Sequence, residues 1–153
     1  MKKRFIKSYA KINLSLDVFG KYKSNYHKIQ SIISFIDLYD AIYISQINKK
    51  KHLVKFNGPF SKNLNKNTIS NLLNLLDQKK ILKKKYEILI KKNIPQKSGL
   101  GGGSMNAACV LKFFLKNKII QITNQEIYKI CSEIGSDVFI GLDRKNSILI
   151  NKN

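Results

Sequence analysis

The segment Ile94-Pro95-Gln96-Lys97-Ser98-Gly99-Leu100-Gly101-Gly102-Gly103-Ser104-Met105-Asn106-Ala107-Ala108 places four glycines within five positions. It runs straight into a helix-compatible stretch, Ala107 to Leu115. Glycine lacks a Cβ, so such a loop can take positive φ angles and bring its N–H groups close to a ligand. A helix starting just after the loop leaves its first N–H groups unpaired and turns its positive dipole end toward it. The combination predicts an anion site, most naturally one for phosphate.

The spacing excludes the commoner phosphate loops. A Walker A loop requires Gly-x-x-x-x-Gly-Lys-Ser/Thr, and no Lys-Ser or Lys-Thr pair follows a glycine here. A dinucleotide fingerprint or a protein-kinase glycine loop starting at Gly99 would need glycine at position 104, which is Ser104. A flexible linker is the plain alternative, but linkers do not ordinarily run into an amphipathic helix.

Outward from this loop, 153 residues suit one domain, 1–153, with a core of its own. No apolar run approaches the ~18 residues of a membrane span. The basic start Met1-Lys2-Lys3-Arg4 has no apolar segment behind it, so a cytoplasmic location is expected. The net charge of +20 points toward nucleic acid or acidic membranes. However, lysine outnumbers arginine 27 to 2, and Ile, Lys and Asn make up 66 residues, as in A/T-rich coding sequence. The lysines are dispersed and lack interleaved aromatics, so nucleic-acid binding is expected to be incidental only. Cys109 and Cys131 read as buried, reduced thiols, and no metal-ligand spacing is present.

From Ala10 to Phe19 apolar and polar residues alternate, predicting a half-buried strand with Ala10, Ile12, Leu14, Leu16 and Val18 inward. Lys11 and Asn13 fall on the other face, which on alternation alone is a solvated one. A second apolar stretch runs from Tyr26-His27 to about Ile36, and further short strands are expected at Ala41–Ile47 and His52–Phe56. Asn67 reads as the N-cap of a helix burying Ile69, Leu72, Leu73 and Leu76. Tyr86 to Lys92 reads as a strand entering the loop. Thr123 with Glu126, and Ile122 with Ile127, form a capping box and staple for a helix ending at Gly135. Val138-Phe139-Ile140 and Ser147–Ile150 read as short strands. Strands first and helices after them indicate an α+β fold, with helices on one face of a mostly antiparallel or mixed sheet.

Ala10-Lys11-Ile12-Asn13-Leu14, the glycine loop and Gly135-Ser136-Asp137-Val138, in that order, resemble the GHMP kinase superfamily of small-molecule kinases. Asn25-Tyr26-His27-Lys28-Ile29-Gln30-Ser31 with Phe35-Ile36-Asp37-Leu38-Tyr39-Asp40 resembles, within it, the 4-(cytidine 5′-diphospho)-2-C-methyl-D-erythritol kinases of the non-mevalonate isoprenoid pathway. The resemblance implies a GHMP N-terminal domain like ribosomal protein S5 domain 2. It also implies transfer of the ATP γ-phosphoryl group to a tertiary hydroxyl, with ATP and Mg²⁺ required.

Residue by residue, it implies Lys11 and Asp137 as the catalytic pair, with Asp137 the proton acceptor. Pro95, Gln96, Lys97, Ser98, Gly99, Leu100, Gly101, Gly102, Gly103, Ser104 and Met105 would hold the phosphates, and Asn67 and Lys92 would lie near the adenosine. Asn13, Tyr26 and His27 would line the cytidine-bearing substrate. His52 matches no position of the pattern and reads as a surface residue. Tyr9, Asn25, Lys28, Met105, Phe139 and the run Gln96-Lys97-Ser98 depart from the usual residues. None of these removes Lys11, Asp137 or the loop's glycines. The family has a second, C-terminal domain, which would begin about where this sequence stops. The resemblance therefore implies a half with weak or absent turnover alone, whose partner is the missing C-terminal half. Another GHMP kinase, an S5-like RNA-binding module and a degenerate remnant are the competing readings.

Overall fold

The computed structural model describes residues 3–21, 27–61 and 67–150, with only the backbone described at 21 and 27–29. Two long strands, β1 (Arg4–Lys21) and β2 (His27–Ile47), pair antiparallel along their length. β3 (Leu53–Asn57), helix α1 (Thr68–Gln78) and β4 (Lys85–Lys91) form a crossover unit in which β3 and β4 are parallel. Helices α2 (Gly102–Lys116), α3 (Asn124–Ile134) and α4 (Val138–Asp143) follow, and β5 (Ser147–Ile150) closes the order. The sheet reads β1-β2-β4-β3, with β5 joining the β4 side of β2 farther along. This is the expected α+β arrangement.

One face of the sheet carries the core. Cross-strand neighbours Ile6, Ile42, Ile90 and Phe56 form one row, and Ile44, Ile88 and Val54 form the next. α1 covers these rows with Ile69, Leu72, Leu73 and Leu76, all buried, and α2 with Val110, Leu111 and Phe114. Asn67 caps α1 as expected, its side chain accepting from Ser70 N at 2.8 Å. The Thr123–Glu126 capping box of α3 is also formed. Cys131 packs in this core, and burial pushes its thiol up to about 11; both cysteines are unpaired.

Several expectations are corrected. The stretches at 27–36 and 41–47 are one strand, because β1 pairs with both and a register shift between Tyr9 and Lys11 takes up Ile36, Asp37 and Leu38. α2 starts inside the glycine run, at Gly102, so Gly102, Gly103, Ser104 and Met105 are its first turn rather than its approach. Gly135 ends α3 in extended backbone (φ 163°) instead of a left-handed turn. Val138-Phe139-Ile140 is helical and opens α4; a three-residue apolar run carries no period of its own. Gly141 lets α4 lie against α2, since a Cβ there would sit 2.6 Å from Ala108 Cβ. His52 is buried in its side chain, not superficial. Its Nδ1 accepts from Tyr86 N (3.0 Å), which leaves Nε2 to donate to Asp77 Oδ1 (3.2 Å).

The alternation of β1 also fails, for a local reason. Asn13 pairs with Ile33 but Ser15 with Ile32, so Leu14 is an extra residue opposite one step of β2. A bulge of this kind shifts the side-chain phase by one. Lys11 and Asn13 therefore share a face with Leu16 and Val18, which are exposed beyond the reach of the helices, as is Leu14.

Candidate active site

The loop before α2 is held in the conformation its glycines permit. Gly99 and Gly101 have φ of 76° and 69°, and Lys97 also lies in the left-handed region at 54°. Ser98 Oγ donates to Pro95 O at 2.9 Å, and Gln96 Nε2 to Phe60 O at 2.9 Å. Gly101 is the N-cap of α2 and offers no side chain to cap it, while the first turn contains no acidic residue. The positive end of a fifteen-residue helix is thus left to an external anion. Thr68 Oγ1 donates to Gly103 O at 2.6 Å, fastening the start of α1 to the start of α2.

Together these pieces enclose a cleft of about 330 Å³. Its walls are Phe56, the α1 start at Asn67–Ile69, Lys92, and loop and α2 residues from Pro95 to Asn106. Of the residues expected to hold nucleotide, all but Leu100 and Met105 line it. Lys92 is buried, and its ammonium pairs with the fully buried Asp40 of β2. Its Nζ lies close to the Gly102 backbone, 3.2 Å from where a Cβ would stand.

Lys11 reaches the same loop from β1. Its backbone N–H donates to Leu100 O at 3.0 Å, and its side chain packs over Gly101, where a Cβ would meet Lys11 Cγ at 2.9 Å. Lys11 Nζ donates to Asn13 Oδ1 at 2.7 Å and lies 3.4 Å from Asp137 Oδ2. Asp137 stands at the N-cap of α4, with no capping bond from its own side chain, which leaves the carboxylate directed at Lys11. Asn13 Nδ2 in turn donates to Ser31 Oγ at 2.5 Å. The solvated face expected for Lys11 is thereby corrected: Lys11 is 8% exposed, because the glycine loop covers it. Ser104 lies near the α3–α4 turn, its Oγ 3.6 Å from the position of a Cβ on Gly135.

A buried cation beside a part-exposed carboxylate, next to an uncapped helix N-terminus, can bind an anion and take a proton from a nearby hydroxyl. Lys11, Asn13 and Asp137 are brought together; Asn67 and Lys92 lie in the adjoining cleft. Tyr26 lies outside the described residues, as does the side chain of His27. Asp40 was legible only as part of a quoted motif, and no spacing signal marks it as the partner of Lys92. A larger groove of about 910 Å³ lies between α2, α3 and α4, lined by residues such as Tyr128 and Phe139. None of the expected site residues among those described lines it.

Comparison with known proteins agrees with this geometry. The chain is 56% identical over 148 residues to 4-diphosphocytidyl-2-C-methyl-D-erythritol kinase of Pelagibacter ubique (strain HTCC1062), covering 95% of this chain and 52% of that protein. It is 39% identical over 133 residues to the kinase of the same name from Caldicellulosiruptor bescii, covering 87% and 46%. The chain thus spans about half the length of the relatives it matches.

Among solved structures, a 4-(cytidine 5′-diphospho)-2C-methyl-D-erythritol kinase superposes with a TM-score of 0.77 at 23% identity, over 97% of this chain and 52% of that one. The phosphomevalonate kinase of Streptococcus pneumoniae does so with 0.62 at 14% identity, over 95% and 47%. These two likenesses speak for the fold. The family model for the GHMP kinases N terminal domain matches residues 63–143, the stretch that holds α1, β4, the glycine loop and Asp137. With more than half of its residues under that model, and its glycine loop closed on Lys11 as described, the chain belongs to the GHMP kinases, through their N-terminal domain.

Proposed function

We propose that this chain is the ATP-binding and proton-accepting part of a kinase that phosphorylates the 2-hydroxyl of 4-(cytidine 5′-diphospho)-2-C-methyl-D-erythritol. The observation that carries the reading is the junction of Lys11, Asp137 and the uncapped start of α2. The substrate class rests on the names of the relatives at 56% and 39% identity.

In this reading the ATP phosphates lie against the N–H groups of the Gly99–Ser104 loop, and the nucleoside extends along the cleft past Asn67 and Lys92. Asp137 accepts the proton of the substrate hydroxyl as its oxygen attacks the γ-phosphorus. The bond from that phosphorus to the β,γ-bridging oxygen breaks, and ADP departs. Lys11 stabilises the charge spread over the transferring group, and Asn13 fixes the lysine's direction. Mg²⁺ bound with the nucleotide would neutralise phosphate charge, and its preference for oxygen donors suits the Ser104 hydroxyl at the α2 start. Tyr26 and His27 take the cytidine side. The whole of residues 1–153 acts as one domain, working with the second half present in longer relatives and binding nucleic acid only incidentally. The protein works in the cytoplasm; among the described residues, no helix is long and apolar enough to cross a membrane.

The test is phosphate transfer from γ-labelled ATP to the cytidine diphosphate substrate. It would compare the parent chain with Asp137→Ala, each alone and with the C-terminal half of a relative supplied in trans. Transfer in any parent arm that collapses in the variant supports the reading. Salt-dependent RNA binding without binding of Mg·ATP would replace it with an RNA-binding role.

A further inference from the structure

The motif Asp37-Leu38-Tyr39-Asp40 is given no task by the kinase reading, yet its last residue is fully buried. Asp40 Oδ1 accepts from Asn93 N at 2.8 Å and Ile94 N at 2.9 Å. Its Oδ2 accepts from Asn106 Nδ2 at 2.8 Å and from the Lys92 ammonium. Asn93 Nδ2 also donates to Tyr39 O at 2.9 Å. Asn93 and Ile94 immediately precede Pro95, where the glycine loop begins, and Asn106 lies in α2, just past its end. One carboxylate on β2 thus holds both the entrance and the exit of the loop.

A buried ion pair kept for stability alone does not require this arrangement, because such pairs contribute little net stability against their desolvation cost. Four donors converging from two ends of one loop satisfy the carboxylate and fix a geometry at the same time. Asn106 adds a second sign. Its Oδ1 is buried and has no hydrogen-bond partner among the described residues, so the bond to Asp40 is what sets the direction of its amide. Asn106 lines the nucleotide cleft.

We propose that Asp40 is a positioning residue for the nucleotide: it clasps both ends of the 95–105 loop so that the start of α2 meets the phosphates in one fixed geometry. The nucleotide part of this inference rests on the kinase reading above; the clasp itself does not.

Asp40→Asn keeps the size but turns an NH₂ group toward donors, and Asn106→Ala releases only the α2 end. Leu76→Ala, in the core and away from the loop, serves as a control for general loss of stability. Amide hydrogen exchange is measured on the full chain without nucleotide, and Mg·ATP affinity by titration calorimetry. Asp40→Asn is expected to speed exchange across 94–106 by about tenfold or more relative to the β4 amides, and to weaken Mg·ATP binding by about tenfold. Asn106→Ala, informative even if Asp40→Asn does not fold, is expected to speed exchange at 102–106 and leave Ile94 protected. Leu76→Ala should lower the melting temperature with affinity unchanged. Faster exchange spread evenly over the sheet, or a loss of affinity that Leu76→Ala reproduces at an equal drop in melting temperature, would overturn the proposal, as would unchanged exchange in both loop variants. A parent chain that does not bind Mg·ATP would count against the kinase reading, and with it the nucleotide role of Asp40, while the exchange pattern still judges the clasp.

Discussion

Lys11 Nζ and Asp137 Oδ2 stand 3.4 Å apart, although one residue belongs to the first strand and the other to the turn between the third and fourth helices. This places a cation and a proton acceptor together beside the uncapped start of α2. Replacing Asp137 by Asn keeps the shape and removes the proton acceptor. Phosphoryl transfer is expected to fall by about 10²–10⁴-fold in kcat. Mg·ATP affinity should change by no more than about threefold, since the kinase reading puts the phosphates on the glycine loop. Single-turnover kinetics beside calorimetry would separate the two. A parallel loss of nucleotide binding would mean that Asp137 acts on the loop and not on the proton.

Gly101→Ala tests the loop's closest approach. The position has φ +69°, and the added methyl group would meet Lys11 Cγ at 2.9 Å. The left-handed backbone alone costs about 1–2 kcal/mol for an L-residue. The variant is expected to bind Mg·ATP about tenfold more weakly and to melt several degrees lower. Gly103→Ala is the contrast on stability: it lies within α2, where alanine is favoured by about 0.5–1 kcal/mol. Its Cβ would make only an ordinary contact with Thr68, 3.4 Å from Oγ1. Urea denaturation should therefore move the two variants in opposite directions.

Gly141→Val examines how α4 carries Asp137. Even a Cβ at this position lies 2.6 Å from Ala108 Cβ and 3.0 Å from Met105 Sδ, so α4 must move off α2. Overpacking of this kind costs about 1–3 kcal/mol. Because Asp137 opens α4, kcat should fall more than the affinity for Mg·ATP does. Equal losses in both would indicate general disruption rather than a displaced carboxylate.

Asp77 gives a pH dependence remote from the site. Burial by itself would raise its carboxyl, but hydrogen bonds from Lys85 (2.5 Å) and His52 (3.2 Å) outweigh it and hold it below the ordinary carboxylate range. A carboxyl lowered in the folded state contributes stability that is complete above its unfolded value, near pH 4, and is lost as pH falls through the folded value. Relative to Asp77→Asn, the parent is expected to be more stable by about 1–2 kcal/mol at pH 7. The two should converge in strong acid. Urea midpoints across pH 2–7 would show the convergence, and a constant gap would remove Asp77 from the acid response.

The fold was largely legible where one local signal sufficed. Asn67 and Thr123 mark helix starts because capping is a contact within four residues, and Ile69, Leu72, Leu73 and Leu76 mark a buried face because helical period is local too. The left-handed backbone of the glycine loop was legible for the same reason. Lys11 was legible only through the family resemblance, since its strand alternates like any solvated one and its burial comes from a loop some ninety residues later. Asp40 and His52 escaped similarly: their partners lie 52–66 and 25–34 residues away. Val138–Ile140 was misread because three apolar residues fit a strand or a helical turn equally well.

The extra residue at Leu14 works as a phase slip in β1. On its Lys11 side the strand keeps polar groups toward the glycine loop; past it, the same face turns apolar at Leu16 and Val18. The two ends of one strand can thus change character independently, since a substitution beyond the slip leaves the register at Lys11 untouched. Deleting Leu14 would close the bulge, while Ser15 to Val18 would keep their partners on β2 and therefore their faces. By taking Leu14 out of the pairing, the bulge sets Leu16 and Val18, rather than Ser15 and Asp17, on the face that carries Lys11.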